Sequence, residues 1–324
     1  MLLAGDLGGT KTQLGLFRPH GGRPEMLDVR EYTTLDYPSL SALISGFLGA
    51  TGVRPQEVQF CCVGVAGPNV KQVARLTNVP WLVDGRELMA NTGIRRAWIL
   101  NDVEAMAYGV PALRPDELHV LQAGEFNADG NACLMAAGTG LGQAVLVRQQ
   151  GRLVPSPSEG GHGDFGARTP REVALLQFLV DRYGRATYEH IVSGQGLVNL
   201  LRFTSAEASP LLREVDESDL PARITSRALD GSDAHCIEAL DLFIGVYGSA
   251  AANLALQCVA TGGVYLGGGI PPKILAAFDS PTFMDAFRTK PPMTGLLERM
   301  PVAIVLNRQT GLLGAAVYGA TMIG

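Results

Sequence analysis

An acid at the end of an apolar strand, followed at once by small residues, can hold a cation and an anion side by side. Asp6-Leu7-Gly8-Gly9-Thr10-Lys11-Thr12 has that order. Gly8 and Gly9 let the backbone approach an anion closely, with N–H groups turned inward as a nest. Thr10 and Thr12 add hydroxyl donors. Asp6 is placed to hold Mg²⁺ through water, because Mg²⁺ prefers oxygen ligands and keeps several waters. The same residues also suit a plain β-hairpin with a polar tip. The segment is not a Walker A loop, since Lys11 follows Thr10 and no G-x-x-x-x-G-K-[ST] occurs anywhere. A second turn, Gly138-Thr139-Gly140-Leu141-Gly142, has the same chemistry and the same hairpin alternative. Two such turns, each after an apolar strand, point to paired phosphate contacts.

Three further segments carry groups suited to a polar substrate. Asn101-Asp102 follows the apolar run Trp98-Ile99-Leu100, and ligand groups often project from the carboxyl ends of strands in α/β folds. A carboxylate there can take a proton from an attacking hydroxyl, with Asn101 bonding the same substrate. Alternatively, the pair caps a helix starting at Val103. Ser158-Glu159-Gly160-Gly161-His162-Gly163-Asp164-Phe165 sets an acid and an imidazole in a glycine-lined loop. Such planar polar groups suit sugar hydroxyls. Glu189, before Ile191-Val192-Ser193-Gly194, is a weaker candidate that could simply be solvated. Finally, Thr261-Gly262-Gly263-Val264-Tyr265-Leu266-Gly267-Gly268-Gly269-Ile270-Pro271 puts glycines on both sides of an apolar strand. A flat ring could slide against such a wall, although close helix–strand packing would need the same glycines.

Gly161, Gly163 and Gly166 also match G-x-G-x-x-G, the dinucleotide fingerprint. The context argues against it. Pro155-Ser156-Pro157-Ser158 makes a poor parallel strand, and the next helix opens at Thr169-Pro170 rather than on the glycines.

The elements that must position these groups alternate between short apolar runs and helical patterns, as in α/β architecture. Strands are predicted at Leu2–Asp6, Gln13–Phe17, Met26–Tyr32, Val58–Val65 and Ala97–Leu100, with a helix over Pro38–Leu48 capped near Asp36 or Ser39. A second set has strands at Leu118–Gln122, Ala132–Ala136, Gln143–Val147 and 263–267. Helices follow near 171–183, 196–203, 219–229 and 234–260, then a strand at Val302–Leu306 and a final helix at Gly311–Ala320. LLAGDLGGT and LMAAGTGLG echo one another, which suggests two related lobes.

The bulk numbers fit this picture. A chain of 324 residues, 47% hydrophobic and 18% charged, is globular and long enough for two lobes. A net charge of -5 gives no nucleic-acid footprint. Five cysteines, an adjacent pair at 61 and 62 and three scattered ones, show no C-x-x-C spacing and fit a reducing compartment. The N-terminus shows no signal-peptide pattern, so a cytoplasmic location is expected. Leu242 to Pro272 carries no charge and is long enough for a membrane span. Its Ser249, Asn253, Gln257 and Thr261 and its glycines favour a buried helix followed by a buried strand.

Together these segments resemble the bacterial glucokinase family, zinc-free branch, within the sugar kinase, heat-shock ATPase and actin superfamily. DLGGTKT is similar to the first phosphate motif, AAGTGLG to the second, and GGVYLGGGIPP to the adenosine motif. LTNVPW resembles a sugar-side loop, LNDVEAMAYG the segment with the catalytic base, and SEGGH and YEHIVSGQGL the sugar-binding segments. The resemblance implies that Asp102 is the base and that Asn78, Asn101, Glu159, His162 and Glu189 hold the sugar. It also implies that ATP lies against Gly8, Gly9, Thr10, Lys11, Thr12, Gly138, Thr139, Gly140, Gly267 and Gly268, with Mg²⁺ near Asp6. The chain departs from the family's frequent residues at Lys11 (Asn), Ser158 (Gly) and Gln195 (Pro).

The implied fold is the two-lobed α/β actin-like ATPase (ribonuclease H-like) fold, with the active site in the interlobe cleft. Residues 1–112 plus 306–324 are expected to form the small lobe and 113–305 the large one. The implied reaction moves the γ-phosphoryl of ATP to the 6-hydroxyl of glucose. The expected partners are glucose and ATP, with no nucleic acid and no membrane, in a homodimer. A kinase for another hexose, or a sugar sensor without turnover, would use the same pocket. The retained Asp6, Asp102 and glycine turns speak against the sensor.

Overall fold

The computed structural model describes residues 1–67, 69–76 and 79–323. The chain divides into two compact units. One comprises Met1–Glu117, Leu153–Pro157 and Asn307–Gly324, and the other Leu118–Arg152 and Ser158–Leu306.

The first unit opens with β1 (Leu2–Leu7) and β2 (Lys11–Arg18), an antiparallel hairpin extended by β3 (Glu25–Thr33). Helix α1 (Leu40–Thr51) starts where the Ser39 hydroxyl oxygen accepts the Ala42 N–H, and it stops on Gly52, whose φ of 69° is left-handed. Next comes β4 (Phe60–Val65), then a small antiparallel sheet of β5 (Asn69–Val70), β6 (Val73–Arg75) and β7 (Leu82–Asp84). After α2 (Gly85–Thr92), β8 (Ala97–Asn101) runs straight into α3 (Asp102–Gly109).

The second unit contributes β9 (Leu118–Gln122), β10 (Ala132–Ala137) and β11 (Leu141–Gln149). Strand β12 (Arg152–Ser158) follows, then helices α4 (Pro170–Tyr183), α5 (Gly194–Thr204), α6 (Leu211–Glu214), α7 (Leu220–Leu229) and α8 (Ala234–Cys258). The unit closes with β13 (Val264–Gly267), α9 (Thr282–Arg288), α10 (Thr294–Leu297) and β14 (Val302–Val305). Helix α11 (Thr310–Thr321) belongs again to the first unit.

In the first unit β1, β4 and β8 are parallel neighbours. Both faces of this sheet are covered, so the strands read as continuous apolar runs rather than alternating ones. Leu3, Leu7, Cys61 and Val63 face α1 and α2, while Leu2, Ala4, Cys62 and Leu100 face α3 and α11. The adjacent Cys61 and Cys62 therefore point to opposite sides, and burial pushes the Cys61 thiol up to about 12. All five cysteines are buried and free. Helices α3 and α11 touch backbone to backbone: a Cβ on Gly314 would collide with the Ala105 carbonyl oxygen, and one on Gly109 with that of Thr310.

The second unit repeats this topology. Strand order β2-β1-β4-β8 in the first sheet is matched by β11-β10-β13-β14 in the second. In each, an antiparallel hairpin is followed by two parallel strands. The echo between LLAGDLGGT and LMAAGTGLG is thus an echo of position as well as of composition. Among the described residues α8 is the one helix long and apolar enough to cross a membrane, and most of it is buried inside its own unit. Its Tyr247 is fully buried and donates its hydroxyl proton to the Met135 carbonyl at 2.9 Å.

Two local features go beyond the expectations. Pro155-Ser156-Pro157-Ser158 lies in a strand, β12, despite its prolines. That strand stands at a sheet edge, the position where a missing N–H is tolerated. The segment after β4, left without elements in the sequence reading, contains β5, β6, β7 and α2.

Candidate active site

The first unit brings Asp6 and Asp102 to one edge of its sheet. Leu7, Val65 and Asn101 stand level across β1, β4 and β8, so Asp6 lies just before that line and Asp102 just after it. Gly64 permits the approach, because a Cβ there would meet the Ala105 methyl at 2.8 Å. Burial, and then the Asp102 charge, push the Asp6 carboxyl up to about 6. A Cβ built on Gly311, in the first turn of α11, would lie 2.9 Å from Asp6 Oδ2. That glycine leaves room around the carboxylate at a helix N-terminus, where negative charge is favoured.

Asn101 is the cap of α3. Its Oδ1 accepts the N–H groups of Val103 at 2.9 Å and Glu104 at 3.2 Å, and its Nδ2 donates to the Gly67 carbonyl at 3.1 Å. The capping reading therefore holds for Asn101, and one Nδ2 proton remains for a substrate. Asp102 is the first residue of α3, and its Oδ1 accepts the Val103 N–H at 2.9 Å. This fixes the carboxylate at the positive end of the helix, where negative charge is favoured.

The turn after β1 is a hairpin in which Gly8 N–H donates to the Lys11 carbonyl at 3.0 Å. Thr34, which the sequence reading did not single out, holds it. Its hydroxyl donates to the Gly8 carbonyl at 2.9 Å and its N–H to the Thr10 carbonyl at 2.9 Å. Thr12 is placed differently from expectation. It is fully buried and its hydroxyl bonds Thr34 at 2.9 Å, so it shapes the turn rather than offering a donor to a phosphate. Gly9 is half-buried and Thr10 exposed at the tip, and the Lys11 ammonium is paired with Glu31 across the sheet. Asn78 lies outside the described residues.

In the second unit the Gly138-Thr139-Gly140 turn joins β10 and β11, with Gly138 N–H donating to the Gly140 carbonyl at 2.9 Å. Gly267 ends the adjacent parallel strand β13 and Gly268 follows it. Gly268 has φ 88°, and a Cβ there would strike the Ala137 carbonyl oxygen. Only glycine satisfies both conditions, so the second phosphate-like turn and the glycine wall meet at one sheet edge. The Gly194 N–H, at the start of α5, donates to the Gly138 carbonyl at 2.8 Å.

Glu159, His162 and Glu189 gather beside the same turn. Glu189 Oε2 accepts the Leu141 N–H at 2.8 Å, and a Cβ on Gly140 would lie 2.5 Å from that oxygen. His162 stands between two carboxylates, its Nδ1 3.6 Å from Glu189 Oε1 and its Nε2 4.0 Å from Glu159 Oε2. These are ion-pair separations, longer than hydrogen bonds. The side chains of Glu159 and His162 are 71% and 61% exposed and Glu189 30%, so the first two present free polar edges on a backbone fixed by Gly161. A Cβ on Gly161 would collide with the Leu141 carbonyl. Glu189, the weakest of the three from sequence, is the best anchored.

The glucokinase family model matches residues 3–322. The chain belongs to the glucokinase family. Relatives include the glucokinases of Synechocystis sp., 38% identical over 98% of this chain and 97% of that protein, and of Pectobacterium atrosepticum, 35% identical over 100% and 98%. Among solved structures, a glucokinase from an Antarctic psychrotroph superposes with a TM-score of 0.87 at 28% identity, over 99% of this chain and 98% of that one. The α/β fold is that of the actin-like ATPases, as members of this family have it. Membership makes the chain a sugar kinase by family. Among the described residues no group of three or more His, Cys, Asp or Glu side chains could hold a metal.

Proposed function

We propose that the chain is a cytoplasmic, homodimeric glucokinase that transfers the γ-phosphoryl of ATP to the 6-hydroxyl of glucose. The juxtaposition of Asp102 with Asp6 carries this reading, since it sets a helix-anchored base beside a carboxylate that favours a cation. The named relatives, which are glucokinases over nearly their full lengths, support it. The lobes are assigned as 1–112 plus 306–324 and 113–305.

Phosphoryl transfer demands positioning and charge neutralisation more than covalent help. Asp102 takes the proton of the 6-hydroxyl. Glu159, His162 and Glu189 hold the other sugar hydroxyls, joined by Asn101 through its remaining Nδ2 proton and by Asn78. Backbone N–H groups of Gly9 and Thr10, and of Thr139 and Gly140, receive the phosphates, Gly8 and Gly138 close the two turns with their own N–H groups, and Gly267 and Gly268 lie against the adenosine. Asp6 fits Mg²⁺: its donors are oxygens, it shares its edge with a second carboxylate, and Gly311 puts no side chain against it. When bound there, Mg²⁺ supplies positive charge for the phosphates.

The test is product analysis. Wild-type protein with Mg²⁺, ATP and glucose should give ADP and glucose 6-phosphate in equal amounts. No glucose-dependent ADP, or a faster reaction with mannose or fructose in the same assay, would overturn the assignment to glucose.

A further inference from the structure

The 187–191 segment that carries Glu189 is itself held from behind. Tyr188 N–H donates to the Gly163 carbonyl at 3.0 Å and Glu189 N–H to the Gly161 carbonyl at 2.9 Å. These two bonds fasten it to the loop that carries Glu159 and His162. The Tyr188 ring packs edge-on against Phe165, centroids 6.0 Å apart. Its phenol oxygen accepts Asn253 Nδ2 at 2.7 Å. Asn253 Oδ1 in turn accepts the Lys290 ammonium at 2.7 Å, which also donates to Ser249 Oγ at 3.3 Å. Ser249 and Asn253 stand one turn apart on α8, the long buried helix of the unit. The half-buried Lys290 ammonium thus donates to two side chains of α8.

The direction of the chain matters. A lysine ammonium can only donate, so it selects the oxygen end of the Asn253 amide and turns the NH₂ end toward Tyr188. The phenol then accepts, and the Tyr188 ring is fixed between α8 and Phe165. The backbone of residue 188 follows its ring, and the carboxylate of residue 189 follows that backbone.

We infer that the Lys290–Asn253–Tyr188 chain is a positioning device for the sugar-holding group, setting the 187–191 segment and with it Glu189 and His162. The inference rests on the reading of Glu159, His162 and Glu189 as the sugar site. As positioning residues the three act through the 187–191 backbone, so they change the affinity for the sugar and leave the chemical step alone.

The test uses full-length Tyr188→Phe and Lys290→Met, with Lys290→Arg as the conservative variant. Far-ultraviolet circular dichroism confirms folding. Two measurements are made: amide hydrogen exchange over 187–191 without ligands, and steady-state kinetics with glucose and ATP. Tyr188→Phe and Lys290→Met are expected to raise the exchange of the Tyr188 and Glu189 amides and to raise the glucose KM about 5- to 10-fold, the size of one lost hydrogen bond to a charged or buried group. The kcat should stay within about twofold, the ATP KM should rise by less than the glucose KM because Glu189 also accepts the Leu141 N–H, and Lys290→Arg should recover most of the loss. A merely structural role would lower the melting temperature without separating KM for glucose from kcat. Glu159→Gln run alongside separates the two failures. If it weakens glucose while Tyr188→Phe and Lys290→Met do not, the positioning chain is wrong and the sugar site stands. If Glu159→Gln has no effect, the sugar site is wrong, and unchanged exchange over 187–191 then overturns the positioning chain as well.

Discussion

Glu189 Oε2 accepts the backbone N–H of Leu141 at 2.8 Å. One carboxylate oxygen thus anchors the turn that joins β10 and β11, while the other faces His162 at 3.6 Å. A side chain proposed to hold sugar is thereby coupled directly to a turn proposed to hold phosphate. Losing the carboxylate should disturb both, whereas Glu159 and His162, which are well exposed, should affect the sugar alone.

Glu159→Gln and His162→Ala should therefore weaken glucose binding without touching ATP. Each removes partners worth about 1–3 kcal/mol when the sugar buries them, a loss of roughly 5- to 150-fold in affinity. Titration calorimetry with glucose in the absence of nucleotide reads this directly. An unchanged dissociation constant in both variants would move the sugar site elsewhere.

Asp6 should make stability depend on pH in a defined direction. Its folded carboxyl stands at about 6, against about 3.9 in an unfolded chain. A raised carboxyl binds its proton more tightly when folded, so its contribution is fully present below about pH 3.9 and is lost as pH rises through about 6. Asp6→Asn, which mimics the neutral form, should gain on the wild type between pH 4 and pH 7 by at most about 3 kcal/mol. Urea unfolding without Mg²⁺ at the two pH values measures it, and an equal gap at both would show that Asp6 is ionised as freely in the fold as outside it.

Much of this site could be read before the fold was known, because its parts are local. Gly8-Gly9-Thr10 and Gly138-Thr139-Gly140 are hairpin turns whose glycines follow apolar strands, and that order is visible in the chain. Asn101-Asp102 was legible as either a cap or a catalytic pair; the cap is formed by Asn101 on α3, and Asp102 stands beside Asp6. What escaped depends on distant partners. The burial of Thr12 comes from Thr34, brought alongside by the register of β2 and β3. Strands β5, β6 and β7 run two or three residues each, too short to show a period. Strand β12 was hidden by Pro155 and Pro157, which argue against a strand everywhere except at an edge. The Lys290–Asn253–Tyr188 chain joins residues spread over a hundred positions, and nothing local marks it.

Val259 offers a test of the backbone. It ends α8 at φ 50°, ψ 62°, a left-handed conformation, with 51% of its surface exposed. That region costs a β-branched residue about 1–2 kcal/mol, while glycine there loses about 0.5–1 kcal/mol in chain entropy. Val259→Gly should therefore raise stability by roughly 0.5–1 kcal/mol, read as a higher midpoint in urea with an unchanged slope. A lower midpoint would mean that the valine side chain contributes packing that outweighs its strain.

The most direct test of the account is single-turnover phosphoryl transfer from ATP to glucose in wild type and Asp102→Asn, with glucose affinity measured on the same preparations. Asparagine keeps the shape and removes the proton acceptor. General-base contributions are about 10²–10⁴-fold, so the account predicts a transfer rate lower by that factor with glucose affinity within a few-fold of wild type. A variant that still transfers phosphoryl within a few-fold of the wild-type rate would contradict the role of Asp102 and the mechanism built on it.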